Sequence, residues 1–153
     1  MLGYIYRLFT EPGALDTKRV TACMAKYRKG KGHQFIIPNV YIHKSYEIDV
    51  FSAKRNDLFD DEVKISRPDY FKDLKKGKHK LIERGSYPAN FFSYVCPEGL
   101  ISAKEVPKYA GLYWVMGNGS VRVKKLPRRI NRKSQLDKYM FKIAVKLDRM
   151  RMA

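Results

Sequence analysis

Glu47-Ile48-Asp49-Val50-Phe51 and Asp60-Asp61-Glu62-Val63-Lys64, joined through Lys54-Arg55-Asn56-Asp57, decide how this chain is read. Both flanks are rich in β-branched and aromatic residues, and the link carries turn-forming Asn and Asp, so the stretch predicts a β-hairpin with strands over 46–53 and 58–65. With Arg55-Asn56 as the turn, Lys54 pairs with Asp57, Asp49 faces Glu62, and Glu47 faces Lys64. The pleat puts Glu47, Asp49, Glu62 and Lys64 on one side and stacks Ile48 against Val63 on the other, toward a core. Directly opposed side chains stand about 5 Å apart at Cβ, where like charges repel. A divalent cation between Asp49 and Glu62 reverses that sign, so the hairpin reads as a metal site with a lysine beside it.

Around this hairpin the chain has the means to fold. Its 153 residues suffice for one domain with a real core, and 44% hydrophobic and 13% aromatic content excludes a disordered basic tail. Residues 127–153 read as a basic linker and a C-terminal helix packed on, or extending from, that domain. The net charge of +17 points to a polyanionic partner, since each phosphate neutralised by Lys or Arg releases condensed counterions. Cys23 and Cys96 show no metal-ligand spacing; they read as buried small hydrophobes in a reducing compartment, with a disulfide left open. Met1 to Phe9 is apolar but short and interrupted by Arg7, unlike a signal-peptide core, and no run reaches the roughly 20 apolar residues of a membrane span. The expectation is a soluble, cytoplasmic protein, in the host cytoplasm if phage-encoded, with no membrane partner.

Elsewhere, Asp16 or Thr17 caps a predicted helix ending near Lys29, with Leu15, Val20, Met24 and Tyr27 as its apolar stripe. His33–Ile37 and Val40–His43 read as short strands separated by a Pro38-Asn39 turn. Ser66 or Arg67 caps a helix over about 67–84, with Pro68 in its first turn and Asp69 at the positive dipole end. Asn90–Cys96 is an apolar strand, residues 100–108 a short helix or loop, and 110–116 with 120–125 a hairpin across Gly117-Asn118-Gly119. A last helix, capped by Ser134, repeats Leu136, Met140, Ile143, Leu147 and Met150 at helical period. This order predicts an α/β fold, a mixed central sheet flanked by helices. His33 and His43 are isolated and read as structural.

The chemistry wants this donor set. Mg²⁺ takes hard oxygens, usually one or two carboxylates completed by water and substrate phosphate. Asp49 and Glu62 supply carboxylates, the carbonyl of Val63 offers a third oxygen, and Glu47 is a further candidate ligand. Lys64 is placed to orient attacking water or to stabilise charge developing on a phosphate. The plain alternative is a solvated hairpin face with a Glu47–Lys64 ion pair worth little.

An Asp on one strand, Glu-x-Lys on the next and then a helix resembles the core motif of the PD-(D/E)XK nuclease superfamily. The longer run Glu62-Val63-Lys64-Ile65-Ser66-Arg67-Pro68-Asp69-Tyr70-Phe71-Lys72-Asp73, with Lys78-His79 beyond it, is similar to small phage and bacterial proteins of that superfamily, MmcB-like proteins among them. Pro97-Glu98-Gly99-Leu100-Ile101, Val106-Pro107 and Ala110-Gly111-Leu112 continue the likeness, which covers roughly residues 40–127. The resemblance implies a restriction-endonuclease-like core and cleavage of DNA phosphodiesters with Mg²⁺ (or Mn²⁺), Asp49, Glu62 and Lys64 being the catalytic residues. The chain departs from the pattern in two places. The 15–29 helix offers Asp16 rather than a Glu, which leaves one or two metals open, and Ile48 stands where a Pro commonly precedes the Asp.

Lys72, Lys75, Lys76, Lys78 and His79, with Arg67, follow the metal strand and are expected to grip phosphates on either side of a cut. Asp69 and Asp73 are expected to pair with Lys72 or Lys76 along the helix. Arg128 and Arg129, in the cluster reaching Lys133, are either a second phosphate-binding patch or a solvated linker. Most aromatics sit at strand period and belong to the core, with Tyr87, Phe91 and Tyr113 as candidates for stacking on bases. The competing reading is a non-catalytic basic protein of a nucleoprotein, virion or other phage assembly. A homodimer through the last helix is also open.

Overall fold

The computed structural model describes residues 15–43, 46–133 and 136–153. The apolar N-terminal stretch and the Ser134 cap lie outside the described residues. Among the described residues four helices and six strands follow in the order α1 (Thr17–Gly30), β1 (Gln34–His43), β2 (Tyr46–Lys54), β3 (Asp57–Val63), α2 (Arg67–Leu74), α3 (Lys78–Glu83), β4 (Phe91–Pro97), β5 (Gly111–Val115), β6 (Val121–Lys125) and α4 (Leu136–Met152). The strands form one open sheet in sequence order. β3, β4 and β5 run parallel to one another, and the remaining neighbours are antiparallel. The expected α/β architecture, a mixed sheet flanked by helices, is what the chain adopts.

The central hairpin turns where the residues said it should. Arg55 and Asn56 have φ of +50° and +67°, the type I′ geometry that matches strand twist. Lys54 pairs with Asp57, and the ladder runs on to Val50 opposite Asp61. Strand alternation then sorts β3 onto two faces. Leu58 belongs to a core with Phe51, Phe92 and Tyr94 under Tyr70, Ile82, Tyr139 and Ile143 of α2, α3 and α4. Val63 belongs to a second core with Val50, Val95, Tyr113 and Val115 under Val20, Cys23 and Met24 of α1.

Local capping follows the sequence. The Asp16 carboxylate accepts the Arg19 amide at 2.8 Å and starts α1, and the Ser66 hydroxyl accepts the Asp69 amide at 3.4 Å to start α2. Cys23 and Cys96 are buried free thiols, which excludes the disulfide left open. No helix among the described residues is long and apolar enough to cross a membrane.

Three expectations need correction. Pro38 does not break the chain into two strands: β1 is a single edge strand, where a missing donor is tolerated, and its register slips near Phe35. The long basic helix is two helices, because residues 75–77, ending in the poor helix former Gly77, interrupt it. Ile48 joins the larger core and Val63 the smaller, so they do not stack; past Val50 the β2–β3 ladder gives way to a bond from the Val63 amide to the Asp49 side chain. Residues 100–108, read as a short helix or a loop, are a loop.

The basic segment after β6 is a fixed strap rather than a free linker. The Asn90 carboxamide accepts the Leu58 amide at 2.9 Å and donates to the Lys133 carbonyl at 2.8 Å, while Asn131 donates to the Tyr87 carbonyl at 3.0 Å. Gly111 lets the strap pass: a Cβ there would stand 2.8 Å from the Pro127 ring. Beyond the strap α4 lies on the sheet, burying Tyr139 and Ile143, with Lys142 donating to the Ile42 carbonyl at 3.0 Å. Its apolar stripe is thus used within the chain.

His33, as expected, is structural. Its ring bonds the Ser52 hydroxyl at 2.9 Å and meets Phe59 edge-on, and burial, with Arg28 and Lys54 nearby, pushes its pKa down to about 4. The unfolded chain takes up this proton near the ordinary imidazole value of 6.5, whereas the folded chain resists it until about 4. The His33 contribution to stability therefore falls as pH drops through that window, by about 2 kcal/mol between pH 7 and pH 5, while the raised pKa of Asp49 acts with the opposite sign and offsets part of it. Urea unfolding of the wild type and His33→Gln at the two pH values measures the His33 part: relative to wild type, the variant is expected to be more stable at pH 5 than at pH 7.

Candidate metal centre and its buried charge network

Three strand positions and two helices meet at the carboxyl end of β3. Asp49 sits where the ladder stops, and its Oδ2 accepts the Val63 amide at 2.8 Å. Burial, reinforced by the negative charge of Glu62, raises its pKa to about 6. The two carboxylates thus converge and repel, as the hairpin register implied. Glu62 is buried, and Lys64, two residues on along the same face, donates to its Oε1 at 2.8 Å.

Behind them lies a network of buried charge. Lys78, 1% exposed, ion-pairs with Glu62 Oε2 at 3.0 Å and with Asp73 Oδ1 at 3.1 Å. Asp73 Oδ1 also faces Lys76 at 3.1 Å and Lys64 at 3.5 Å, and its Oδ2 accepts the Tyr94 hydroxyl at 2.7 Å and the His79 ring N–H at 3.1 Å. Burial would raise the Asp73 pKa, but the bonds from His79 and Tyr94 and the charges of Lys78 and Lys64 outweigh it and hold it well below the carboxylate range. Lys64 and Lys78 are both desolvated, yet Glu62 and Asp73 keep their pKa values raised and their charges in place. Asp60 is different. It is buried with Tyr87 as hydrogen-bond donor, and desolvation raises its pKa well above the usual carboxylate value.

On the other face of β3, Arg28 of α1 clamps Asp61 with two bonds of 2.9 and 2.7 Å, its guanidinium lying over the Tyr113 and Phe59 rings. The Asp60-Asp61-Glu62 run therefore splits three ways: a buried acid bonded to Tyr87, a bridge to α1, and the candidate ligand.

Glu47 does not belong to the site. It is exposed, taking a 3.4 Å bond from the Tyr41 hydroxyl, and the expected Glu47–Lys64 pair is absent because Lys64 turns to Glu62 and Asp73. Lys78 and His79 are not phosphate grips either. Lys78 is spent on the buried acids, and His79 is fixed between Asp73 and the Tyr109 hydroxyl, 2.6 Å from its Nδ1. Arg67 is exposed, but Glu105 and the Leu100 carbonyl engage its guanidinium. Arg129 ion-pairs with Asp57 and lies over the Phe91 ring. Lys72, Lys75 and Arg128 are exposed, Lys76 half-exposed over Asp73. Tyr87 and Tyr113 are too buried to stack on bases.

Sequence reasoning missed Asp73 as the hub of this network, seeing only the Asp73–Lys76 pair along one helix. The one signal was that the motif extends through Asp73 and Lys78-His79, which a pattern of solvated lysines has no need to do.

The site suits a hard cation in part. Among the described residues no group of three or more His, Cys, Asp or Glu side chains is disposed to hold a metal, so the donors are the two carboxylates of Asp49 and Glu62. Glu62 Oε2 is buried and has an ion pair but no hydrogen bond among the described residues. Two acidic side chains, with Glu62 Oε2 met by the Lys78 ammonium, match in part the sparse protein donor set of Mg²⁺, which keeps water and phosphate for its other positions.

Comparison with known proteins bears on the fold. No protein-family model matches the chain, and no curated protein matches it. Among solved structures the chain is similar to the SPO1766 protein from Silicibacter pomeroyi, a protein of unknown function. The TM-score is 0.70 at 16% identity, over 92% of this chain and 88% of that one. Likeness at that identity speaks for shared architecture.

Proposed function

We propose that this chain is a metal-dependent DNA endonuclease of the PD-(D/E)XK type, with Asp49 and Glu62 holding Mg²⁺ or Mn²⁺ and Lys64 as the cation beside the scissile phosphate. The observation that carries this reading is the buried Glu62 carboxylate beside the half-buried Asp49, with the Lys64 ammonium 2.8 Å from Glu62. The strand order and the Asp49…Glu62-Val63-Lys64 spacing on adjacent strands support a restriction-endonuclease-like core. A bound metal supplies charge neutralisation at the phosphate and a more acidic water.

The chain's own residues do the rest. The Val63 amide fixes one oxygen of Asp49. Lys64, its charge held by Glu62 and Asp73, offers a permanent cation to the developing phosphorane rather than a base. Exposed Lys72 and Lys75, with half-exposed Lys76, lie on the segment directly after the site and suit backbone phosphates, and the net charge of +17 suits a polyanion. A cytoplasmic setting, with Cys23 and Cys96 reduced, fits the same reading.

Incubation with supercoiled plasmid and branched DNA tests it. Nicking is expected with Mg²⁺ or Mn²⁺ and none with EDTA; no cleavage with either metal would sink the proposal. A second reading has one observation in its favour: Lys64 and Lys78 already engage both Glu62 oxygens, as in a closed structural ion cluster. A non-catalytic nucleoprotein or virion component would bind DNA in a salt-dependent way and leave the plasmid intact.

A further inference from the structure

Lys78 begins α3 and could point to solvent at no cost, yet its ammonium is buried against Glu62 and Asp73. An ammonium leaves water only at a large desolvation penalty, which good pairing must offset. The Glu62 carboxylate is met by lysines of different exposure: Lys64 at 2.8 Å and the more exposed Lys76 at 3.9 Å on Oε1, and Lys78 at 3.0 Å on Oε2, behind the site. Asp73 shares all three, at 3.5 Å from Lys64 and 3.1 Å from Lys76 and Lys78, and is itself locked by Tyr94 and His79.

We propose that Lys78 and Asp73 are a positioning pair, an inference that rests on the nuclease reading: Lys78 holds the Glu62 carboxylate in one orientation and tempers its charge, and Asp73 shares the charge of the lysines so that Glu62 does not bear it alone and a cation can displace them. The two residues then act on metal binding with opposite signs. Removing the Lys78 charge leaves Glu62 more negative, so a divalent cation binds more tightly, but to a carboxylate that has lost its aim. Removing the Asp73 charge lets Lys64 and Lys78 lean wholly on Glu62 and compete with the cation. A brace for the fold alone would not produce opposite signs.

Calorimetric titration of Mn²⁺ into the full chain, alongside nicking rates at saturating Mn²⁺, tests this with Lys78→Met, Asp73→Asn and Glu62→Gln. Lys78→Met is expected to bind Mn²⁺ about tenfold more tightly yet cut about a hundredfold more slowly, and Asp73→Asn to bind about tenfold more weakly. Should Lys78→Met not fold, Lys78→Gln and Asp73→Asn carry the same test. Affinity shifts of the same sign in both variants, no shift in either, or activity lost only in proportion to the unfolded fraction would overturn the pairing. If Glu62→Gln alone loses Mn²⁺, the nuclease reading stands without it. If the wild-type protein and Glu62→Gln give the same isotherm, both fall together.

Discussion

Glu62→Ala and Lys64→Ala are each expected to abolish Mg²⁺-dependent nicking, a loss of about a thousandfold or more, while DNA affinity stays within about threefold of wild type. The two effects separate because different atoms supply them. Affinity for a polyanion comes from many exposed cations, Lys72 and Lys75 among them, each contributing a small salt-dependent part. In the proposed nuclease, cleavage would depend on the few groups at the end of β3: Asp49 and Glu62 close enough to repel, and Lys64 against Glu62. Because both residues are buried in an ion network, truncating either also strands a partner charge, at about 3–5 kcal/mol. Glu62→Gln and Lys64→Met keep the volume and lower that cost, so activity is to be compared among variants whose thermal unfolding shows them folded. Nicking by any of the four at the wild-type rate would remove Glu62 or Lys64 from the chemistry.

The largest loss of stability is expected from Asp61→Asn or Arg28→Met. The Arg28–Asp61 bridge is bidentate and buried at both ends, and it ties α1 to the strand that carries Glu62. Burial works against the Arg28 charge, and the adjacent Asp61 carboxylate more than restores it. Removing one partner leaves the other charge unpaired between the Tyr113 and Phe59 rings, at a cost of about 3–5 kcal/mol. The midpoint of thermal unfolding should drop by about 10 °C or more. Arg28→Met combined with Asp61→Leu takes away both charges and should recover most of that loss, to within about 2 kcal/mol of wild type. Denaturant unfolding of the two single variants and the double closes the cycle. Single losses below about 1 kcal/mol would mean that the bridge is not what clamps α1 to β3.

How far residues alone disclosed this arrangement depends on how local each feature is. The turn at Arg55-Asn56, the Lys54–Asp57 register and the caps at Asp16 and Ser66 involve neighbours within a few residues, and each formed as read. Glu62 and Lys64 share a face because a strand pleats with period two, whatever surrounds it. Lys78 and His79 were read as surface cations for an equally local reason: a run of lysines on a helix looks solvated wherever the helix goes. The break at Gly77 and the presence of Asp73 and Tyr94 behind Glu62 turned them inward, and neither is visible at short range. Ile48 and Glu47 went astray similarly, because the β2–β3 ladder ends at Val50–Asp61 instead of running the length of the hairpin.

The order of residues by itself determined most of the elements, the hairpin turn and its register as far as Val50–Asp61, since hydrogen-bond periodicity and turn geometry act over short distances along the chain. Only the tertiary structure decided which charges are buried and which meet solvent. It made Asp60 a buried acid bonded to Tyr87, Asp61 a clamp for α1, and Asp73 with Lys78 a brace behind Glu62. The energy of a charge depends on the dielectric around it and on the partners that reach it from other elements, and no stretch of sequence carries either.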